Sequence, residues 1–104
     1  MLPTEKDIEK SLNNLAITDE SFAQAQAKCV AKKENLKIKK LALLGTSGTQ
    51  MEKEKVALEH PDYKKAVDEY SDAIYKKTLL EAKRVRWNLI IEVWRSLNAN
   101  LRKS

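Results

Sequence analysis

Apolar residues recur along the chain at intervals of three and four, and only two glycines and two prolines interrupt them. That pattern predicts helices, not strands. In PTEKDIEKSLNNLAI, Ile8, Leu12 and Leu15 keep helical spacing behind Thr4, a candidate N-cap followed by Glu5 and Asp7. This predicts a short N-terminal helix within residues 1–18. Asp19 can cap the run SFAQAQAKCVAKKENLKIKKLALL, so a basic helix is expected over 19–44, with Gly45 as its C′ residue. Residues 45–49 read as a loop, and Thr49 with Glu52 three residues on forms a capping box for a short helix over 50–59. His60 precedes Pro61, and the residue before proline is pushed out of the α region while proline suits a first helical turn. A long last helix is therefore expected over 61–103.

The fold class read from this is all-α: two long helices with short connecting helices, assembling as a helical homo-oligomer. Assembly is expected because the 19–44 helix is apolar on two sides. Phe22, Ala25, Cys29, Leu36 and Leu43 form one stripe, and Val30, Ile38, Leu41 and Leu44 form another with small alanines. A chain of 104 residues can scarcely bury both within itself. In the last helix, Trp87, Ile90, Trp94, Leu97 and Leu101 alternate by three and four like a coiled-coil seam. Upstream that column meets Lys83, Lys76 and Glu69, and Tyr63, Val67, Tyr70 and Ile74 take over on a neighbouring stripe. The expected oligomer interface is Leu36, Leu43, Trp87, Ile90, Trp94, Leu97 and Leu101.

Charge changes the picture by segment. Residues 1–20 sum to −3, 21–45 to +5, 46–75 to −3 and 76–104 to +6, within a total of +5. Such alternation lets acidic and basic stretches lie side by side, and leaves two basic segments able to meet a polyanion. On the basic helix, Lys28, Lys32 and Lys39 share one row and Lys33, Lys37 and Lys40 another. On the last helix, Lys77, Arg84, Arg95 and Arg102 fall within about 20° of one line, beside the tryptophan face. A row of cations can track a phosphate backbone, and neighbouring tryptophans can stack bases. The same arginines can equally pair with the acidic 46–75 block, and tryptophans spaced seven apart among Ile and Leu also suit a core. No helix-turn-helix, zinc finger or basic zipper is visible, so single-stranded nucleic acid fits better than duplex DNA.

Enzyme chemistry finds no foothold. One histidine without a cysteine pair leaves no zinc site within one chain, and no cofactor is expected. Cys29 lies among Ala and Val as a small core residue, and GTSG lacks the GK[ST] ending of a phosphate-binding loop. No carboxylate pair has the apolar setting that tunes an acid catalyst. The opening MLPTEKDIEK lacks the apolar region of a signal peptide, no stretch is long and apolar enough for a membrane span, and a lone cysteine suits a reducing compartment. A cytoplasmic protein is the expectation.

The segment LKIKKLALLG adds a resemblance. A basic helix, a glycine-bearing loop, the EKEK stretch and a long final helix, together residues 28–104, resemble the UvsY-type recombination mediators of tailed phages. In that family a Leu-Lys-Ala-Arg motif ends a helix before such a loop, and its two cations contribute to single-stranded DNA binding. Leu36, Lys37, Ile38 and Lys39 match it position by position, with Lys39 in place of Arg and so without bidentate phosphate geometry. The first 20 residues match nothing in the family. The resemblance implies a ring-like homo-oligomer, in a phage-infected or prophage-bearing cell, that binds single-stranded DNA. Its role would be to help load a recombinase onto strands coated by a single-strand-binding protein. The expected nucleic-acid contacts are Lys32, Lys33, Lys37, Lys39, Lys40, Lys77 and Arg84. The competing expectation is a small helical interaction protein, such as a phage inhibitor of a host factor, that never touches DNA.

Overall fold

The computed structural model describes residues 2–103 and is helical throughout, in the order α1 (Glu5–Ala42), α2 (Gln50–Glu59) and α3 (Pro61–Lys103). The described residues contain no strand. The chain divides into two compact units. The first joins the stretch up to Ala23 with that from Thr78 onward, and the second is Gln24–Lys77.

The largest departure from expectation is α1, which runs unbroken through the predicted junction at residues 18 and 19. Asp19 is not a cap. Thr18 instead turns its hydroxyl back onto the carbonyls of Asn14 (2.7 Å) and Leu15 (3.4 Å), as a threonine inside a helix does. Neither glycine nor proline stands there to force an end. At the true start, Thr4 and Asp7 cap each other: Thr4 Oγ1 accepts from the Asp7 N–H (3.3 Å) and Asp7 Oδ2 from the Thr4 N–H (2.8 Å).

Those bonds, the Thr4 N–H first and its hydroxyl next, hold the Asp7 carboxyl below its usual value. A depressed folded-state pKa stabilises above the unfolded pKa, and the contribution is lost as pH falls through the folded one. Asp7→Asn should therefore lower the thermal midpoint at neutral pH and leave it unchanged in strong acid, where both chains are neutral at this position. Melting curves at the two pH values check this; an equal shift at both would assign the effect to packing.

In the first unit, α1 presents Ile8, Ser11, Leu15, Thr18 and Phe22 at alternating spacings of three and four, and α3 presents Leu80, Arg84, Trp87, Ile91, Trp94 and Asn98. All are buried or half-buried. Both rows keep three-and-four spacing, and the bonds from Arg84 to Leu15 and Thr18 join them. They correct the seam expected on α3, which follows Ile91 and Asn98 as well as Ile90 and Leu97, and continues through Arg84. Arg84 clamps the unit. Its guanidinium donates to the Leu15 carbonyl (3.0 Å), Thr18 Oγ1 (2.8 Å) and Asp19 Oδ1 (2.6 Å), and lies 5.1 Å from the centroid of the Phe22 ring.

In the second unit the seam residues are Ala25, Cys29, Lys32, Leu36 and Lys39 on α1, Leu43 just past its end, and Tyr63, Ala66, Tyr70, Ala73 and Lys77 on α3, again all buried or half-buried. The most buried of them are small: Cys29, Ala66 and Ala73, with Ala57 of α2 wholly enclosed. No large side chain is fully buried among the described residues. α2 opens at Thr49, whose Oγ1 accepts from the Glu52 N–H (3.2 Å), and ends at the extended His60. His60 in turn starts α3, its Nδ1 accepting from the Asp62 N–H (3.0 Å).

Gly45 does not serve as the expected left-handed C′ residue; the positive φ belongs to Gly48, at 95°. Gly45 is needed for contact. Its N–H donates to the Lys53 carbonyl (3.0 Å), and a Cβ there would come within 3.1 Å of Val56 Cγ2.

Candidate nucleic-acid interface

The second unit holds twelve lysines, no arginine and eight carboxylates, a net +4, while all four arginines belong to the first unit, which nets +1. The basic face is thus built from point charges on flexible stems, which grip phosphate without the fixed fork of a guanidinium. Its backbone support is the C-terminal part of α1, whose other side carries the seam from Cys29 to Lys39.

Much of that basic charge is answered within the chain. Lys32 Nζ lies 3.0 Å from Glu69 Oε2, and this ammonium holds the Glu69 carboxyl below its usual value. Lys40 Nζ lies 4.0 Å from Glu54 Oε1. Lys37 stays 63% exposed and meets only Glu34, one turn back, at 3.4 Å. Lys33 is exposed and makes no ion pair among the described residues. Lys39 is half-buried beside a cleft of about 200 Å³ lined by Asn35, Asp62, Lys65, Ala66 and Glu69. Lys77 is half-buried at the α3 end of the unit. The two cations of the LKIK motif therefore differ: Lys37 faces solvent and Lys39 faces α3.

Arg84 leaves the candidate set. Three of its five N–H donors are engaged on α1 of the first unit, and only 18% of its side chain is exposed, which leaves it little reach towards a phosphate. Arg95, 67% exposed, pairs with Glu92 at 3.6 Å. The block alternation explains these pairings. The acidic 46–75 block answers the basic 21–45 block through Glu69 and Glu54, and the acidic 1–20 block answers the basic tail through Asp19.

Leu36 and Leu43, expected at an oligomer interface, lie half-buried on the seam of their own unit, and Trp87, Ile90, Trp94 and Leu97 are half-buried in the first unit. Of the second apolar stripe, Val30, Ile38 and Leu41 stay open, at 65%, 62% and 70% exposed, while Leu44 is half-buried. Lys65 was missed in the sequence because it lies inside an acidic block; the structure puts it beside Lys39. Among the described residues no cluster of His, Cys, Asp and Glu could hold a metal ion, and no helix is long and apolar enough to cross a membrane. Comparison with protein families, with curated proteins and with solved structures finds no match to this chain.

Proposed function

We propose that this chain binds single-stranded DNA through the lysine face of its second unit and works as a homo-oligomer. In the extended reading that the LKIK resemblance supports, it is a mediator that helps a recombinase onto strands coated by a single-strand-binding protein. One observation carries the DNA reading: Lys33 and Lys37 project from one exposed edge of α1, in a unit whose every cation is a lysine. Such a face neutralises phosphates and reads no base edges, so binding is tolerant of sequence and sensitive to salt.

The test is fluorescence anisotropy with a labelled oligo(dT) across a salt series. Affinity should fall steeply, each contacted phosphate adding about 0.7 to the slope of log K against log salt. Lys33→Ala with Lys37→Ala should lower that slope by about 1.4 for each copy that contacts the strand while leaving the helical circular dichroism signal intact. Stimulation of recombinase filament formation on coated strands then tests the mediator role. Binding that ignores salt would overturn the phosphate reading.

A second reading, a helical protein-interaction module without nucleic acid, draws support from the internal pairing of Lys32, Lys40 and Arg84. Absence of any DNA binding at low salt would select it.

A further inference from the structure

The second unit's α1 has an outer face that its own chain leaves uncovered. At about 100° per residue, Ala27, Val30, Ala31, Ile38 and Leu41 centre roughly opposite the buried seam of Cys29, Leu36 and Leu43. All five are exposed. Ala27, Ala31, Glu34, Ile38 and Leu41 alternate by four and three, the spacing of a second coiled-coil seam with one polar member. The inner seam of the same helix also tolerates polar members, Lys32 and Lys39. A face with this repeat fits a helix laid along it, and its alanines permit close approach.

Area points to a second copy of this chain as the occupant. The chain exposes 8030 Å². A compact monomer of 11.9 kDa presents about 6,000 Å², so about a third more surface than that stands in water. Obligate homodimer interfaces remove about 2,000 to 5,000 Å² over both partners, so an excess of this size leaves room for self-association, and on the outer α1 face the exposed Val30, Ile38 and Leu41 stand together. Charge permits it as well. The one acid in the stripe, Glu34, is already answered by Lys37 of the same chain, so two copies bring no unanswered charge together.

We infer that the outer α1 face, Val30, Ile38 and Leu41 with their alanines, is where two copies of this chain pack antiparallel about a twofold axis, and that this pairing completes the DNA site. In a twofold antiparallel pair the axis stands perpendicular to both helices, so a flank on one side of the first helix stays on that side in the second. Lys33 and Lys37 lie on one flank of the stripe. Pairing therefore sets four lysines, two from each copy, along a single face. On this flank one copy alone offers two cations one turn apart, enough for about two phosphates, which is little to hold a strand against salt. This inference rests on the DNA-binding reading for its second half and stands on surface area for its first.

The test compares the full chain with Ile38→Gln/Leu41→Gln and with Lys33→Gln, which leaves the Glu34–Lys37 pair in place, by light scattering, circular dichroism and oligo(dT) anisotropy. Both apolar positions are exposed, so the glutamine pair keeps the helical signal. It should reduce the particle mass, weaken DNA binding about tenfold or more, and roughly halve the salt slope. The lysine variant should keep the mass and lose DNA affinity. A wild-type monomer at about 50 µM, or an unchanged mass in the glutamine pair, overturns the interface. A reduced mass with DNA affinity and salt slope intact overturns completion of the site by a second copy. No DNA binding by any of the three chains overturns the DNA-binding reading itself and, with it, that completion, while the masses decide the interface separately.

Discussion

Arg84→Met should lower the thermal midpoint by about 10 to 20 °C. The guanidinium supplies charge-assisted bonds to the Leu15 carbonyl and Thr18 Oγ1 from a half-buried seam position, and bonds of this kind contribute about 1.5 to 3 kcal/mol. The Asp19 bond adds little, because that carboxylate is 68% exposed and screened. Taking about 2 to 3 kcal/mol in all, a domain of this size loses about 4 to 8 °C per kcal/mol. Arg84→Lys keeps the charge but cannot bridge three acceptors with one ammonium, so it should recover less than half of the loss. Circular dichroism melts of the three chains measure the shift. A midpoint unchanged within 2 °C or so, accompanied by lost DNA affinity, would return Arg84 to the phosphate-binding set.

Ala73→Leu is the second large effect, and it works through crowding. Ala73 and Ala66 lie seven residues apart on the α3 seam with 3% and 4% of their surface exposed, in a unit whose other deeply buried residues are Cys29 and Ala57. The most buried positions of this seam carry side chains of only one or two atoms. Three more carbons at Ala73 cannot be housed without parting α1 from α3, at a cost of about 1 to 3 kcal/mol. Ala82→Leu is the control, since Ala82 is exposed and a leucine there costs within about 0.5 kcal/mol. Urea melts of both variants decide the matter. Equal midpoints would mean that the alanine seam has room to spare.

The sequence displays the helices more clearly than their partners. Thr49 with Glu52 and the His60–Pro61 step mark real boundaries because capping and proline act locally, within three residues. Asp19 misled because a capping side chain makes a cap only where the backbone leaves the helix, and no local residue makes it leave. The α3 seam was hidden by Lys77, Arg84 and Asn98, polar residues at positions that an apolar pattern search passes over. Which lysines stay free was not legible either. Lys32 meets Glu69 across 37 residues of sequence, and only the alignment of α1 against α3 makes them neighbours. The two stripes of α1 were both visible. Their assignment was not, since Leu36 and Ile38 are equally apolar and the choice is made by the helix that comes back.

The alanine seam also shapes how the protein responds to temperature. Newly hydrated apolar surface raises the heat capacity of unfolding by about 0.45 cal/mol/K per Å², and polar surface lowers it by about 0.26. A single chain that already holds about 2,000 Å² of surplus surface in water has that much less to hydrate on unfolding, which removes roughly 0.3 kcal/mol/K at the usual apolar majority. Its stability curve is correspondingly less curved than that of a compact domain of the same length, by about a fifth. Covering the surplus by assembly would return the curvature, so the steepness of the curve depends on protein concentration.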